Sequence, residues 1–137
     1  MKRTRVVVVG DGHRPPYFQE IKCGRHALTA DEPTERGGLD TGPCAFAYLL
    51  SGLGACTSIA LRMYADKKGW SLGTVMVALE LFGTPSAWEI RRTVQVLGDF
   101  TEAQRHRLAE LCERTPLTLV IKEGLTIRTT LAVQRTV

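Results

Sequence analysis

The stretch Ala45–Leu61 contains no charged residue, and its apolar side chains fall on every face of a helix. The helix that carries it reads from Pro43, a residue suited to a first helical position, to Lys68. Lys67, Lys68 and then Gly69 supply last-turn cations and a left-handed cap. A helix that is apolar all round is either buried or in a membrane. Seventeen residues interrupted by Ser51, Gly52, Gly54, Thr57 and Ser58 fall short of the roughly 20 that a span needs. Burial is therefore expected, with no membrane partner. Yet such a helix is roughly 35–39 Å long, about the diameter of a compact chain of this size. A single 137-residue chain has difficulty surrounding it. Small residues four apart, Ser51/Ala55 and Gly52/Cys56, admit a close neighbour, so a second copy of the chain is expected to cover part of the helix.

The other elements follow from pattern. Val6–Val9 reads as a short strand closed by Gly-Asp-Gly, and Tyr17–Cys23 and Arg25–Thr29 as two more around Gly24. The run Arg5-Val-Val-Val-Val-Gly-Asp-Gly lacks the third glycine of a dinucleotide fingerprint, and Arg14-Pro15-Pro16 stands where the phosphate-binding helix would begin. Asp31–Gly42 is a loop. Val75–Phe82 and Trp88–Leu97 alternate and form a hairpin with one buried face, Trp88, Ile90, Val94 and Val96 marking that face on the second strand. Thr101 and Gln104 form a capping box, opening a second helix with Leu108, Leu111 and Cys112 on one face. Leu125–Val133 alternates again and reads as a last strand. The order gives an α+β fold in a single domain, 1–137.

Charge distribution excludes several functions. The chain carries a formal +4, but Lys2, Arg3 and Arg5 make the only basic run and no aromatic residues interleave with it, so no nucleic-acid partner is expected. His13, His26 and His106 show no metal spacing, and no Gly-x-Ser-x-Gly or phosphate loop occurs. The N-terminal apolar stretch is too short for a signal peptide, so the expected compartment is the cytoplasm, where thiols stay reduced.

Four cysteines remain. Cys44 and Cys56, twelve residues apart on one helix, lie ~18 Å apart and cannot pair. Cys56 and Cys112 both read as inward-facing and would meet if their helices pack. Small core hydrophobes and a reactive pair both fit that placement. Cys56 is far from the helix N-terminus, and its helical neighbours are uncharged until Arg62, so an activating cation must come from elsewhere. Arg25 and Arg36, flanking the acidic loop, are the natural suppliers. Asp31, Glu32, Glu35 and Asp40 read as solvated loop acids.

Three blocks resemble the OsmC/Ohr family: Asp31-Glu-Pro with Gly37-Gly-Leu-Asp-Thr-Gly-Pro, then Leu49-Leu-Ser-Gly-Leu-Gly-Ala-Cys56-Thr-Ser, then Leu61-Arg-Met-Tyr-Ala-Asp-Lys-Lys-Gly-Trp70. The resemblance implies an OsmC-like fold: a long buried central helix, an antiparallel sheet, a second helix carrying a Cys, and an intertwined homodimer. It implies a two-cysteine peroxidase for organic hydroperoxides in oxidative-stress defence. Carried over by position, Cys56 attacks the peroxide, Cys112 resolves the sulfenic acid, and Arg25 sits beside the thiolate. No bound cofactor is implied; an external dithiol, of lipoyl type or on a lipoylated protein, supplies the electrons. Two departures stand out. Ala47, or Phe46, occupies the slot of a family Glu that holds the Arg, and Cys112-Glu-Arg-Thr-Pro lacks a Pro directly after the Cys. Glu113 would raise the Cys112 pKa. Those departures keep a second reading open, a catalytically weak or inactive OsmC-fold protein that binds a small ligand or senses oxidation.

Overall fold

The computed structural model describes residues 5–135; of the basic run, Lys2 and Arg3 lie outside them. Three strands come first, β1 Val7–Gly10, β2 Gln19–Cys23 and β3 His26–Ala30, followed by a short 3-10 turn at Thr34–Arg36. Helix α1 spans Ala45–Lys68, strands β4 and β5 span Val75–Thr84 and Ala87–Val96, and helices α2 and α3 span Glu102–Cys112 and Pro116–Glu123. The fold is α+β, as its order of patterns implies. By internal contacts the chain divides into two compact units, Met1–Gly52 with Leu79–Arg91, and Leu53–Ala78 with Arg92–Val137.

In the first unit, β1, β2 and β3 form an antiparallel meander, with Val7 opposite Cys23 and Ile21 opposite Leu28. Gly24, at φ 59°, makes the tight return between β2 and β3. The loop after β3 is latched rather than loose. Asp31 is buried, and its carboxylate accepts from the Thr41 hydroxyl at 2.6 Å, the Thr41 amide at 3.2 Å and the Glu32 amide at 2.8 Å. The Thr41 hydroxyl, offset by burial and aided by the amides, holds this carboxyl below its ordinary range. Asp31 is therefore a structural acid, not a solvated one. The loop closes so tightly that a Cβ on Gly38 would lie 1.9 Å from the Glu32 carbonyl oxygen. Phe46, on the first turn of α1, stacks on Trp88 at 5.5 Å.

The second unit holds the main core. Residues Leu53, Thr57, Leu61 and Ala65 form the buried stripe of α1 at four-residue spacing. Leu61 and Ala65 pack with Leu72, Leu108 and Cys112, flanked by Trp70, Val94, Val96 and Phe100. Helix α2 begins where the sequence places it: the Thr101 hydroxyl accepts from the Gln104 amide and the Gln104 side chain accepts from the Thr101 amide. Arg62 reaches back from α1 to donate to the carbonyls of Leu72 and Gly73, tying the helix to the segment before β4.

The single chain buries one stripe of the central helix and leaves Phe46, Leu49, Ile59 and Met63 exposed, in keeping with a helix that one chain of this size has difficulty surrounding. By length and composition α1 also passes as a membrane span, a test that the core helix of a soluble protein passes equally. One expectation about the elements needs correction: Leu125–Val133 forms no strand. Helix α3, which the sequence reading missed, takes Pro116–Glu123, and the segment after it finds no strand to pair with. Ile127, Leu131 and Val133 are each 85% exposed. A strand requires a neighbouring backbone for its N–H and C=O groups.

Candidate functional site

The two cysteines assigned chemistry both belong to the second unit, in different settings. Cys112 ends α2 inside the core cluster, 9% exposed. Cys56 lies one residue from the buried stripe, next to Thr57, and is half-buried. The sequence aimed both inward; Cys112 is there, and Cys56 sits at the margin. All four thiols are free.

Between the two helices stands a residue that sequence reasoning missed. Arg92, on β5, sends Nη1 to the Thr57 hydroxyl at 3.0 Å and to the Thr118 hydroxyl at 2.9 Å, and Nη2 to the Cys112 carbonyl at 2.8 Å. One planar guanidinium thus joins the residue after Cys56, the backbone of Cys112 and the first turn of α3, a geometry suited to its rigid fork. The hydroxyls complete a relay. Thr57 donates onward to the Leu53 carbonyl at 2.8 Å, and the Thr118 hydroxyl lies 2.6 Å from that of Thr115 and 3.3 Å from the Cys112 carbonyl. Thr57, Thr115 and Thr118 are buried, and none of these groups is left unsatisfied.

Among the described residues no carboxylate forms an ion pair with Arg92; its hydrogen bonds go to neutral oxygens, and Glu113 feels its charge from farther off. Burial pushes the Cys112 thiol up; the nearby Arg92 charge opposes this, and Glu113 adds to it. The sequence anticipated the sign of the Glu113 effect, but burial is the larger cause. Glu113 itself is held by Lys122 at 2.6 Å, which lowers its own pKa.

The signal for Arg92 was present in the hairpin. Its inward face reads Ile90, Arg92, Val94, Val96, with a cation inside an otherwise apolar alternation, while Trp88, expected on that face, is exposed and stacks on Phe46. A charge on the inward face must find buried partners.

The suggested cations belong to the first unit. Arg25 lies in the turn between β2 and β3, exposed, and among the described residues its side chain makes no hydrogen bond or ion pair. Arg36 pairs with Glu32 at 3.2 Å. Glu32 thus engages an arginine from within the loop, while Ala47 on α1 offers none. Cys23, in β2, and Cys44, before α1, are half-buried. Among the described residues no cluster of His, Cys, Asp and Glu could hold a metal ion.

A central helix whose stretch Ala45–Leu61 is uncharged and bears a thiol, an antiparallel hairpin and a second helix ending in a buried thiol define a class of small α+β thiol proteins. The chain belongs to the OsmC-like protein family, whose model matches residues 38–130. Among solved structures it is similar in fold to an OsmC-like protein from Mycoplasma pneumoniae, at TM-score 0.73 and 14% identity, covering 89% of each chain. It is similar also to the organic hydroperoxide resistance protein OsmC of Legionella pneumophila, at TM-score 0.64 and 19% identity, covering 88% of this chain and 90% of that one. A third is an organic hydroperoxide resistance protein from Elizabethkingia anophelis, at TM-score 0.66 and 17% identity, covering 89% and 90%. No curated protein matches the chain in sequence.

Proposed function

We propose that the chain is a thiol-dependent peroxidase for organic hydroperoxides. The Cys56 thiolate attacks the peroxide oxygen, the O–O bond breaks, and the alkoxide leaves as an alcohol after taking a proton. Cys56 is then a sulfenic acid. The Cys112 thiolate attacks its sulfur, a disulfide forms, and the hydroxyl leaves as water. An external dithiol, lipoyl or similar, returns both cysteines to thiols and is itself oxidised to a disulfide. Arg25 or Arg36 is the proposed cation for the Cys56 thiolate, and a reducing compartment such as the cytoplasm suits the cycle.

One observation carries the reading furthest: a single guanidinium binds both the Cys112 carbonyl and the hydroxyl next to Cys56. The two structural neighbours called organic hydroperoxide resistance proteins support it from outside the chain. A homodimer is part of the proposal. The exposed Ile59 and Met63 on α1 and the unpaired apolar alternation after α3 are surfaces that a second copy would cover.

Stopped-flow reduction of cumene hydroperoxide tests the assignment. The wild-type protein should consume it, Cys56→Ser should not, and Cys112→Ser should accumulate a sulfenic acid that dimedone traps. Consumption no faster than by free cysteine sinks the proposal. A second reading, a redox sensor of low turnover, is favoured by the raised Cys112 pKa and by Ala47 in the family Glu slot. It requires oxidation of Cys56 without repeated turnover in excess dithiol.

A further inference from the structure

The second unit carries an open surface cavity of about 300 Å³, largely accessible to solvent and lined by Tyr64, Lys68, Trp70, Ala103, Gln104 and Arg107. Two of its residues are aromatic, and they meet edge to face with ring centroids 5.5 Å apart. Two others are cations that converge on one ring. Lys68 Nζ lies 5.7 Å from the Tyr64 centroid and the Arg107 guanidinium carbon 5.8 Å from it. Arg107 is fixed there because its Nε donates to the Tyr64 hydroxyl at 2.9 Å. Glu110, which does not line the cavity, takes Arg107 Nη1 at 3.2 Å. Lys68 has no carboxylate within ion-pair distance among the described residues. No acid lines the cavity.

Arg107 is partly answered by Glu110, whereas Lys68 faces water with no acid beside it among the described residues, so the two cations leave a net positive charge at one aromatic wall that an anion can meet. The cavity volume is at the lower end of small-molecule sites, which suits one or two fused rings rather than a long chain. We propose that this cavity is a binding site for a small planar aromatic anion, its ring against Trp70 and Tyr64 and its carboxylate between Lys68 and Arg107. Ring contact and cation contact are then both required, and neither a neutral ring nor a saturated acid satisfies the site. The assignment does not rest on peroxidase activity; Cys56 and Cys112 take no part in it.

The chain has two tryptophans, Trp70 in this cavity and Trp88 on β5, so nitrogen-labelled protein gives one reporting and one control indole signal. Titrating the full chain with 2-naphthoate should move the Trp70 indole signal and leave that of Trp88 in place. The expected dissociation constant is on the order of 1 mM, the range open to a ring of this size. Naphthalene-2-methanol and cyclohexanecarboxylate should each bind more weakly, and added salt should weaken 2-naphthoate. Lys68 is exposed, so Lys68→Gln should keep the native spectrum and weaken binding about three- to fivefold. Arg107→Gln removes the Tyr64 tie as well, and serves as the second variant. No Trp70 shift at saturating probe, equal binding of the neutral ring or of the saturated acid, or unchanged affinity in Lys68→Gln would each overturn the proposal.

Discussion

Arg92 Nη1 donates to the Thr57 hydroxyl at 3.0 Å, and through this bond β5 grips the central helix one residue from Cys56. The same side chain grips the Cys112 carbonyl at 2.8 Å. Removing it breaks three bonds and leaves two buried hydroxyls and a carbonyl short of a donor. Arg92→Met should lower stability by about 2–4 kcal/mol, read from urea midpoints. Arg92→Lys keeps the charge but cannot span all three acceptors, so it should recover only part of the loss. A midpoint unchanged in Arg92→Met would show the clamp to be without consequence.

The Cys112 thiol should ionise above the ordinary thiol range of ~8.5, because burial outweighs the Arg92 charge. Alkylation of a Cys23/44/56→Ser variant, followed against pH by mass spectrometry, measures this directly. Glu113→Gln should move the profile down and Arg92→Gln should move it up, since the first removes a negative neighbour and the second a positive one. The linked stability is fully present below the unfolded thiol pKa and falls as pH rises toward the folded one. A Cys112 profile centred below the ordinary value contradicts this account of its surroundings.

The Asp31 latch has the opposite dependence on pH. Its carboxyl is held below the ordinary range, chiefly by the Thr41 hydroxyl, so the ionised latch stabilises the fold above the unfolded carboxyl pKa. That contribution disappears as pH falls through the depressed folded value. Asp31→Asn keeps the shape and removes the charge, and should flatten the acid limb of the stability curve. It should also speed proteolysis within residues 32–41. An acid limb identical to the wild type would count against the latch.

Gly38 tests the close approach in the same loop. A Cβ there meets the Glu32 carbonyl oxygen, carbonyl carbon and Cβ at 1.9, 2.5 and 2.8 Å. Backbone cannot yield as a flexible side chain can, so Gly38→Ala should lower stability by more than about 1 kcal/mol. Gly12→Ala is a poor control, because that glycine has a positive φ. Gly10→Ala, with open space around its Cβ position and no positive φ, should cost far less.

Where local signals and packing agree, the sequence is legible to within two or three residues. The central helix expected at Pro43–Lys68 forms over Ala45–Lys68, and the capping box at Thr101 opens α2 as read. The hairpin expected at Val75–Phe82 and Trp88–Leu97 forms as Val75–Thr84 and Ala87–Val96. Failures arise where the deciding partner is distant in sequence. Leu125–Val133 has the alternation of a strand but, among the described residues, no neighbour to complete its ladder. Helix α3 is signalled only by Thr115-Pro116, a cap and first-turn proline, and its eight residues are too few for a periodic pattern. Asp31 looked like one acid among several until Thr41, ten residues on, proved to be its donor. The candidate site divides the same way. Motif resemblance picks out Cys56 and Cys112; Arg92 is legible only as a cation in the hairpin's apolar alternation, and its partners Thr57 and Thr118 emerge only from the packing.

The proposed pairing of Cys56 with Cys112 in one redox cycle is tested by peptide mapping after one equivalent of cumene hydroperoxide, without reductant. A single Cys56–Cys112 disulfide should appear as the peroxide is consumed, with Cys23 and Cys44 remaining as free thiols and no cross-link in Cys56→Ser. A reduced Cys56 with peroxide intact, or a disulfide that joins Cys56 to Cys44 instead, would contradict the account.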